Sequence, residues 1–186
     1  MENKLVLILG GARSGKSRFA QETAARISDR VLFVATAEPG DEEMRARIER
    51  HRRERPPAWR VLEAPREVGR RLAERLDGVD VVILDCLTVL VANVLLSGRA
   101  GAFAAVRDEI GAFLDVVRRY PIVSLVVSNE VGAGIVPENR LARRYRDALG
   151  MANQLLAQEA NEVYFMVAGI PVCVKKPGRS ISPPWA

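Results

Sequence analysis

The sequence predicts an α/β fold in three layers, a mostly parallel central sheet with helices on both faces, and three observations point to it. Short runs rich in Val, Ile and Leu alternate with longer segments of helical periodicity, the pattern of strands covered on both faces and joined by crossover helices. Hydrophobic residues make up 48% of the chain but aromatic ones only 5%, so the core is aliphatic. A glycine-rich turn separates the first apolar run from the first helical segment. At 186 residues the chain fits one domain that buries about two thirds of its unfolded surface, which excludes disordered and fibrous classes.

Taken in order, the strands are expected at Lys4 to Leu9, Arg30 to Ala35, Val79 to Leu84, Ile122 to Ser128 and Glu162 to Val167, with a sixth around Val172 to Lys175. The first helix opens at the glycine-rich turn and runs from Lys16 to about Ile27. The second is announced by Gly40-Asp41: Asp41 caps a helix carrying Met44 and Ile48, and Pro56-Pro57 stops it. Further helices fit Arg66 to Leu76, Ala102 to Arg119 and Asn139 to Ala160. No repeat, linker or second domain interrupts this order. Residues 1–175 read as one domain, and 176–186, with their prolines and serines, as a draped tail.

The longest uncharged run, Cys86 to Gly98, falls short of the roughly 18 to 20 apolar residues of a membrane-spanning helix. The N-terminus shows neither a long apolar stretch nor a small-residue cleavage site, so a cytoplasmic location is expected. Cys86 and Cys173 lie in apolar surroundings without metal-type spacing and read as small buried hydrophobes. The net charge of +5 suits a nucleic acid, an anionic small molecule or a solvated surface alike. Its distribution is uneven. Arg45, Arg47, Arg50, Arg52, Arg53 and Arg55 crowd one segment, and Arg140, Arg143, Arg144 and Arg146 another. The scarcity of aromatic residues argues against a base-stacking surface and so against a nucleic-acid partner.

Gly10-Gly11-Ala12-Arg13-Ser14-Gly15-Lys16-Ser17 matches G-x-x-x-x-G-K-[ST] in full, after an apolar strand and before a helix. This is a phosphate-binding P-loop, and with it the fold reads as RecA-like. Backbone amides and the helix N-terminus cradle the phosphates, Lys16 reaches the β/γ oxygens, and the Ser17 hydroxyl ligates Mg²⁺. The partner carboxylate for the metal is Asp85, at the end of Val81-Val82-Ile83-Leu84. Its alternative role is to cap the segment that follows. Glu63, after Trp59-Arg60-Val61-Leu62, is an acidic candidate on pattern alone.

His51 is the only histidine in the chain. Spacing puts it near one helical face with Met44 and Ile48, as a partly packed residue beside a solvated arginine face. The chemical alternative is a nucleophile, because neighbouring cations favour the neutral imidazole and the same arginines attract nucleotide phosphates. No second histidine or cysteine cluster supports a metal role.

The P-loop, followed by Val34-Ala-Thr-Ala37, Asp41-Glu-Glu-Met44, Arg47-Ile-Glu-Arg-His51, Arg55-Pro56 with Trp59, Asp85-Cys-Leu-Thr88 and Ser128-Asn-Glu-Val-Gly-Ala-Gly-Ile-Val-Pro-Glu-Asn-Arg140, resembles the bifunctional adenosylcobinamide kinase / adenosylcobinamide-phosphate guanylyltransferase family. The resemblance runs from Leu5 to about Lys175. It implies two steps of cobalamin biosynthesis. Adenosylcobinamide is phosphorylated by ATP or GTP, and GMP then passes from GTP to adenosylcobinamide phosphate through a guanylyl-histidine, carried here by His51. It implies nucleotide contacts at Ala35, Thr36 and Ala37, at Arg52, Arg53, Glu54 and Arg55, and at Glu63 and Asp85, together with Mg²⁺ and a homotrimer. Glu130, just past a strand end, is a candidate contributor to the kinase step, or else shapes the loop from Val131 to Pro137. Ala133 and Val89-Leu90 depart from the family's usual residues. Two other readings of the P-loop stand beside this one: a small-molecule kinase without guanylyl transfer, and a RecA-like nucleotide-dependent nucleic-acid binder.

Overall fold

A computed structural model describes residues 3–178, apart from 41, 54, 99 and 100 and from the side chains of Glu43, Met44, Arg47 and His51. Its strands are β1 (Lys4–Gly10), β2 (Val31–Ala35), β3 (Arg60–Glu63), β4 (Val81–Asp85), β5 (Val123–Val127), β6 (Glu162–Val167) and β7 (Ile170–Lys175). They form one sheet in the order β3-β2-β4-β5-β1-β6-β7. Every pairing is parallel except β6 with β7. The helices are α1 (Lys16–Ile27), α2 (Glu42–Arg53), α3 (Val68–Ala73), α4 (Leu87–Leu96), α5 (Ala102–Arg119) and α6 (Arg140–Glu159).

Alternation along the strands divides the core in two. Leu5, Leu7, Leu32, Val34, Leu84 and Val126 face α3, α4, α5 and α6, whose apolar stripes include Leu72, Leu90, Phe113 and Leu156. Val6, Ile8, Phe33, Ile83 and Leu125 face the other way and meet Trp59 and the small side chains Ala20 and Ala24 of α1. Helices cover both faces, as expected, but unevenly. On the thinner side, buried alanines let α1 lie close over the middle of the sheet.

Some expected elements shift and two are new. The edge strand β3 and the helix α4 have no counterpart in the sequence reading. β3 is only 4 residues long and largely exposed, too short to show alternation. The α4 segment is almost wholly apolar, so no polar face marks a helical period. The last strand starts at Ile170 rather than Val172, and α3 is trimmed to Val68–Ala73. Asn139 accepts hydrogen bonds from Leu141 N and Ala142 N and starts α6 as expected, whereas Asp41 lies outside the described residues. Cys173 is exposed and Cys86 only partly buried, correcting the expectation that both are core residues. The reason for Cys173 is that β7 is an edge strand whose residues Ile170 to Val174 all face solvent. Among the described residues no helix is long and apolar enough to cross a membrane.

Where α3 crosses α5, Gly69 is buried and a Cβ placed on it would strike the carbonyl of Ala112. Gly69→Ala should therefore force the two helices apart and destabilise the fold by about 2 kcal/mol, read from the urea unfolding midpoint. An unchanged midpoint would show that the crossing absorbs a methyl group.

Candidate functional site

Parallel pairing brings the C-terminal ends of β1, β4 and β5 to one edge of the sheet, where open α/β proteins bind ligands. The P-loop leaves β1 there. Gly10 has φ +148, and a Cβ on it would lie 2.7 Å from Met166 O. Gly15 has φ +95 and is the N-cap of α1, so both glycines sit in conformations that other residues rarely adopt. Lys16 is 8% exposed, and its ammonium donates to Gly11 O at 2.6 Å and to Ser14 Oγ at 3.4 Å. The cation is thus folded over the hollow of the loop.

Two adjoining cavities open here. The first is a cleft of 640 Å³ whose walls include the loop from Ala12 to Ser17, Asp85, Asn129 and, from α2, Ala46 and Arg50. The second, of 100 Å³, is floored by Phe33, Ala35 and Ile48 and rimmed by Arg52 and Glu63. Ser17, Asp85 and Cys86 line both. Asp85 ends β4 in register with Ala35 of β2 and Val127 of β5.

The helix α2 spans both cavities, with Ala46 and Arg50, four residues apart, at the first and Ile48 and Arg52, likewise four apart, at the second. His51 lies in the last turn of this helix between Arg50 and Arg52; its side chain and all of Glu54 lie outside the described residues. Arg52 donates to Glu63 Oε1 at 2.5 Å and to Glu49 Oε1 at 3.2 Å. The guanidinium of Arg55 lies 4.3 Å from the centroid of the Phe33 ring. Burial pulls its pKa below the usual arginine value, Arg52 adds to that, and Asp85 and Glu63 oppose it. Arg53 is exposed and lines neither cavity.

Of the residues expected after β2, Ala35 and Ala37 face the smaller cavity. Thr36 is fully buried. Its hydroxyl donates to Cys86 O at 2.8 Å and accepts from Cys86 N at 2.9 Å, and Asn93 Nδ2 holds its carbonyl at 2.8 Å. It therefore clamps the ends of β2 and β4 together behind the pocket wall. Glu130 accepts from Gly132 N at 2.6 Å, the loop-shaping contact, and Arg143 donates to Pro137 O and Glu138 O at the entry to α6. The sequence reading missed Asn129, Ala46 and Cys86 as cavity residues. A polar residue just beyond an apolar strand was the available signal for Asn129. Nothing in the local sequence marks the other two. Among the described residues no group of three or more His, Cys, Asp or Glu side chains stands ready to hold a metal ion.

A family model described as cobinamide kinase / cobinamide phosphate guanyltransferase matches residues 6–174. The chain belongs to this family. The bifunctional adenosylcobalamin biosynthesis protein CobU of Salmonella typhimurium is 43% identical over 183 residues, 92% of this chain and 99% of that protein. CobU of Escherichia coli is 41% identical with the same coverage of both chains. CobP of Pseudomonas aeruginosa, also described as a bifunctional adenosylcobalamin biosynthesis protein, is 41% identical over 91% of this chain and 96% of its own. Among solved structures, the RadB recombinase superposes with a TM-score of 0.56 at 16% identity, covering 96% of this chain and 84% of that one. The flagellar accessory protein FlaH of Methanocaldococcus jannaschii does so at 0.55 and 14%, covering 94% and 79%. At those identities the likeness concerns the RecA-like fold of this cobinamide kinase / guanylyltransferase family member and nothing of its chemistry.

Replacing the Thr36 hydroxyl by a methyl group in Thr36→Val removes the acceptor of the Cys86 N–H and one of the two donors to the Cys86 carbonyl, the other being Leu90 N. A loss of about 1–3 kcal/mol in stability is expected, measured by denaturant unfolding, together with weaker nucleotide binding. Retained stability would show that the two strand ends hold each other without it.

Proposed function

We propose that the chain works as the bifunctional enzyme its family is named for, with one P-loop serving both reactions and His51 carrying the guanylyl group between them. The observation that supports this most directly is that α2, the helix of His51, contributes Arg50 to the cleft of the P-loop and Arg52 to the cavity ending at Glu63. A nucleotide with its phosphates on the P-loop and its base against Phe33 and Ala35 then lies along the histidine's helix.

In the kinase step the aminopropanol hydroxyl of adenosylcobinamide attacks the γ-phosphorus of ATP or GTP, the γ–β bridging bond breaks, and a nucleoside diphosphate leaves. In the transferase step the neutral imidazole of His51 attacks the α-phosphorus of GTP and pyrophosphate departs. An oxygen of adenosylcobinamide phosphate then attacks the same phosphorus, the P–N bond breaks, and adenosylcobinamide-GDP is released with free histidine. Lys16 and the amides of Gly11 to Lys16 hold the β and γ phosphates; in the kinase step charge builds on the β-phosphate leaving group and on the γ-phosphoryl oxygens in transfer, and in guanylylation on the departing pyrophosphate.

Ser17 and Asp85 offer one hydroxyl and one carboxylate facing both cavities, a donor set that fits Mg²⁺, an ion that takes most of its ligands from phosphates and water. Bound there it neutralises charge developing on the departing phosphates. Glu63 accepts from the guanine N1 and N2 donors, and to do so it exchanges its ion pair with Arg52 for the base. Ala35 and Ala37 flank the nucleotide with Thr36 behind them, and Arg53, Glu54 and Arg55 follow the nucleophile. Exposed Ile135, Val136 and Leu141, beyond the end of β5, offer an apolar rim to the corrin ring. The assembly is a homotrimer working in the cytoplasm, with the apolar edge Ile170, Val172 and Val174 as a surface for self-association.

Incubation with Mg²⁺ and GTP in the absence of corrinoid should add the mass of one GMP to the intact protein, acid-labile and alkali-stable, and His51→Ala should abolish it. No adduct on a chain that binds GTP tightly would rule out the histidine intermediate. Glu63→Gln should narrow the preference for GTP over ATP in adduct formation by about 10-fold, since the guanine donors lose their charged acceptor. An unchanged ratio of the two rates would place guanine recognition elsewhere.

A further inference from the structure

The two reactions break different bonds of the triphosphate, so a group that acts on the γ-phosphorus alone separates them. Asn129 is placed for that. In the sheet β5 lies between β1, which feeds the P-loop, and β4, which ends at Asp85. Asn129 follows β5 by two residues and lines the phosphate cleft with Lys16 and Asp85.

Its backbone is held from both sides. The amide donates to Thr88 Oγ1 at 2.9 Å, and the carbonyl accepts from Asn153 Nδ2 at 3.0 Å. Asn153 is 6% exposed and accepts in turn from Ser128 Oγ at 2.7 Å. One residue on, Glu130 N donates to Gly10 O at 3.3 Å, which ties the segment to the start of the P-loop. The side-chain amide makes no hydrogen bond within the described residues and is left to the cleft. A donor carried on an anchored backbone suits a phosphoryl group in transfer, because little main-chain reorganisation is needed as charge spreads over its oxygens.

We infer that the Asn129 side-chain amide donates to the γ-phosphoryl group and orients it toward the attacking hydroxyl, which makes Asn129 a catalytic residue of the kinase step and not of guanylyl transfer. When the α-phosphorus reacts, the γ-phosphate remains inside the departing pyrophosphate, and a contact to it stabilises ground and transition states nearly alike. The inference rests on the cleft being the triphosphate site, as proposed above.

The test measures both half-reactions on the full chain: phosphorylation of adenosylcobinamide by ATP, and formation of the guanylyl-enzyme from GTP without corrinoid. Asn129→Ala should lower kinase kcat about 30- to 100-fold, with the KM for ATP and the guanylylation rate each within about threefold of wild type. Asn129→Ser, which keeps a polar side chain too short to reach, should do the same and gives the reading if the alanine variant fails to fold. Kinase activity unchanged in both, or both reactions reduced by the same factor, would overturn the assignment and leave Asn129 a scaffold residue. A wild-type chain that phosphorylates adenosylcobinamide but forms no guanylyl adduct would sink the histidine reading alone, since the kinase comparison stands without it.

Discussion

Parallel pairing of β4, β5 and β1 is the constraint on which the site depends. Val126 of β5 stands opposite Leu84 on one side and Leu7 on the other, so the three strands end in step. Gly10, Asp85 and Asn129 then leave the sheet at a single edge, although they are far apart in sequence. A slip of one residue in either pairing would exchange the two apolar faces, putting Leu7 or Leu84 where Ile8 or Ile83 belongs. The burial of two different helix layers against those faces therefore fixes where the phosphate-binding loop and the strand-end carboxylate stand relative to each other.

Polar struts convert that register into a defined pocket. Thr36 bridges the ends of β2 and β4, Asn93 holds the segments after β2 and β3 through Thr36 O and Pro65 O, and Asn153 holds the segment after β5. Buried amides and hydroxyls with both ends satisfied stiffen the strand ends without being ligand groups themselves. Burial also pushes the phenol of Tyr145 up to about 12; it stays protonated and donates at 3.3 Å to the carbonyl of Thr88, the residue whose hydroxyl holds Asn129 N. The segments that bring Cys86 and Asn129 to the larger cleft are thus tied back to helices of the thicker layer.

The helix carrying His51 is attached differently. Among its described side chains Ile48 is half-buried, and Arg52 makes exposed pairs with Glu49 and Glu63. Pairs of that kind contribute roughly 0–1 kcal/mol. By contrast α1 and α4 lock into the core through fully buried residues such as Ala24 and Leu90. The wall formed by the P-loop and α4 is thus anchored in the core, and the wall formed by α2 is lightly held.

The sequence alone determined the phosphate chemistry. An unbroken P-loop between an apolar strand and a helix and a strand-end Asp85 are local patterns legible from residue type and spacing, whereas a role for His51 came only with the family resemblance, since its own spacing fits a partly packed residue beside an arginine face. The first and longest strands and the amphipathic helices α1, α5 and α6 are legible for the same kind of reason, since their periodicity is written in neighbouring residues. β3 and α4 are not, because four exposed residues carry no alternation and an all-apolar run carries no period. The exposure of Cys173 follows from its strand being at an edge, a fact of strand order. Asn129 entering the phosphate cleft, Thr36 turning away from it, and Arg52 reaching across to Glu63 were likewise decided by tertiary structure. Each depends on which strands lie side by side, and that is settled by burial and pairing between segments remote in the chain rather than by anything within them.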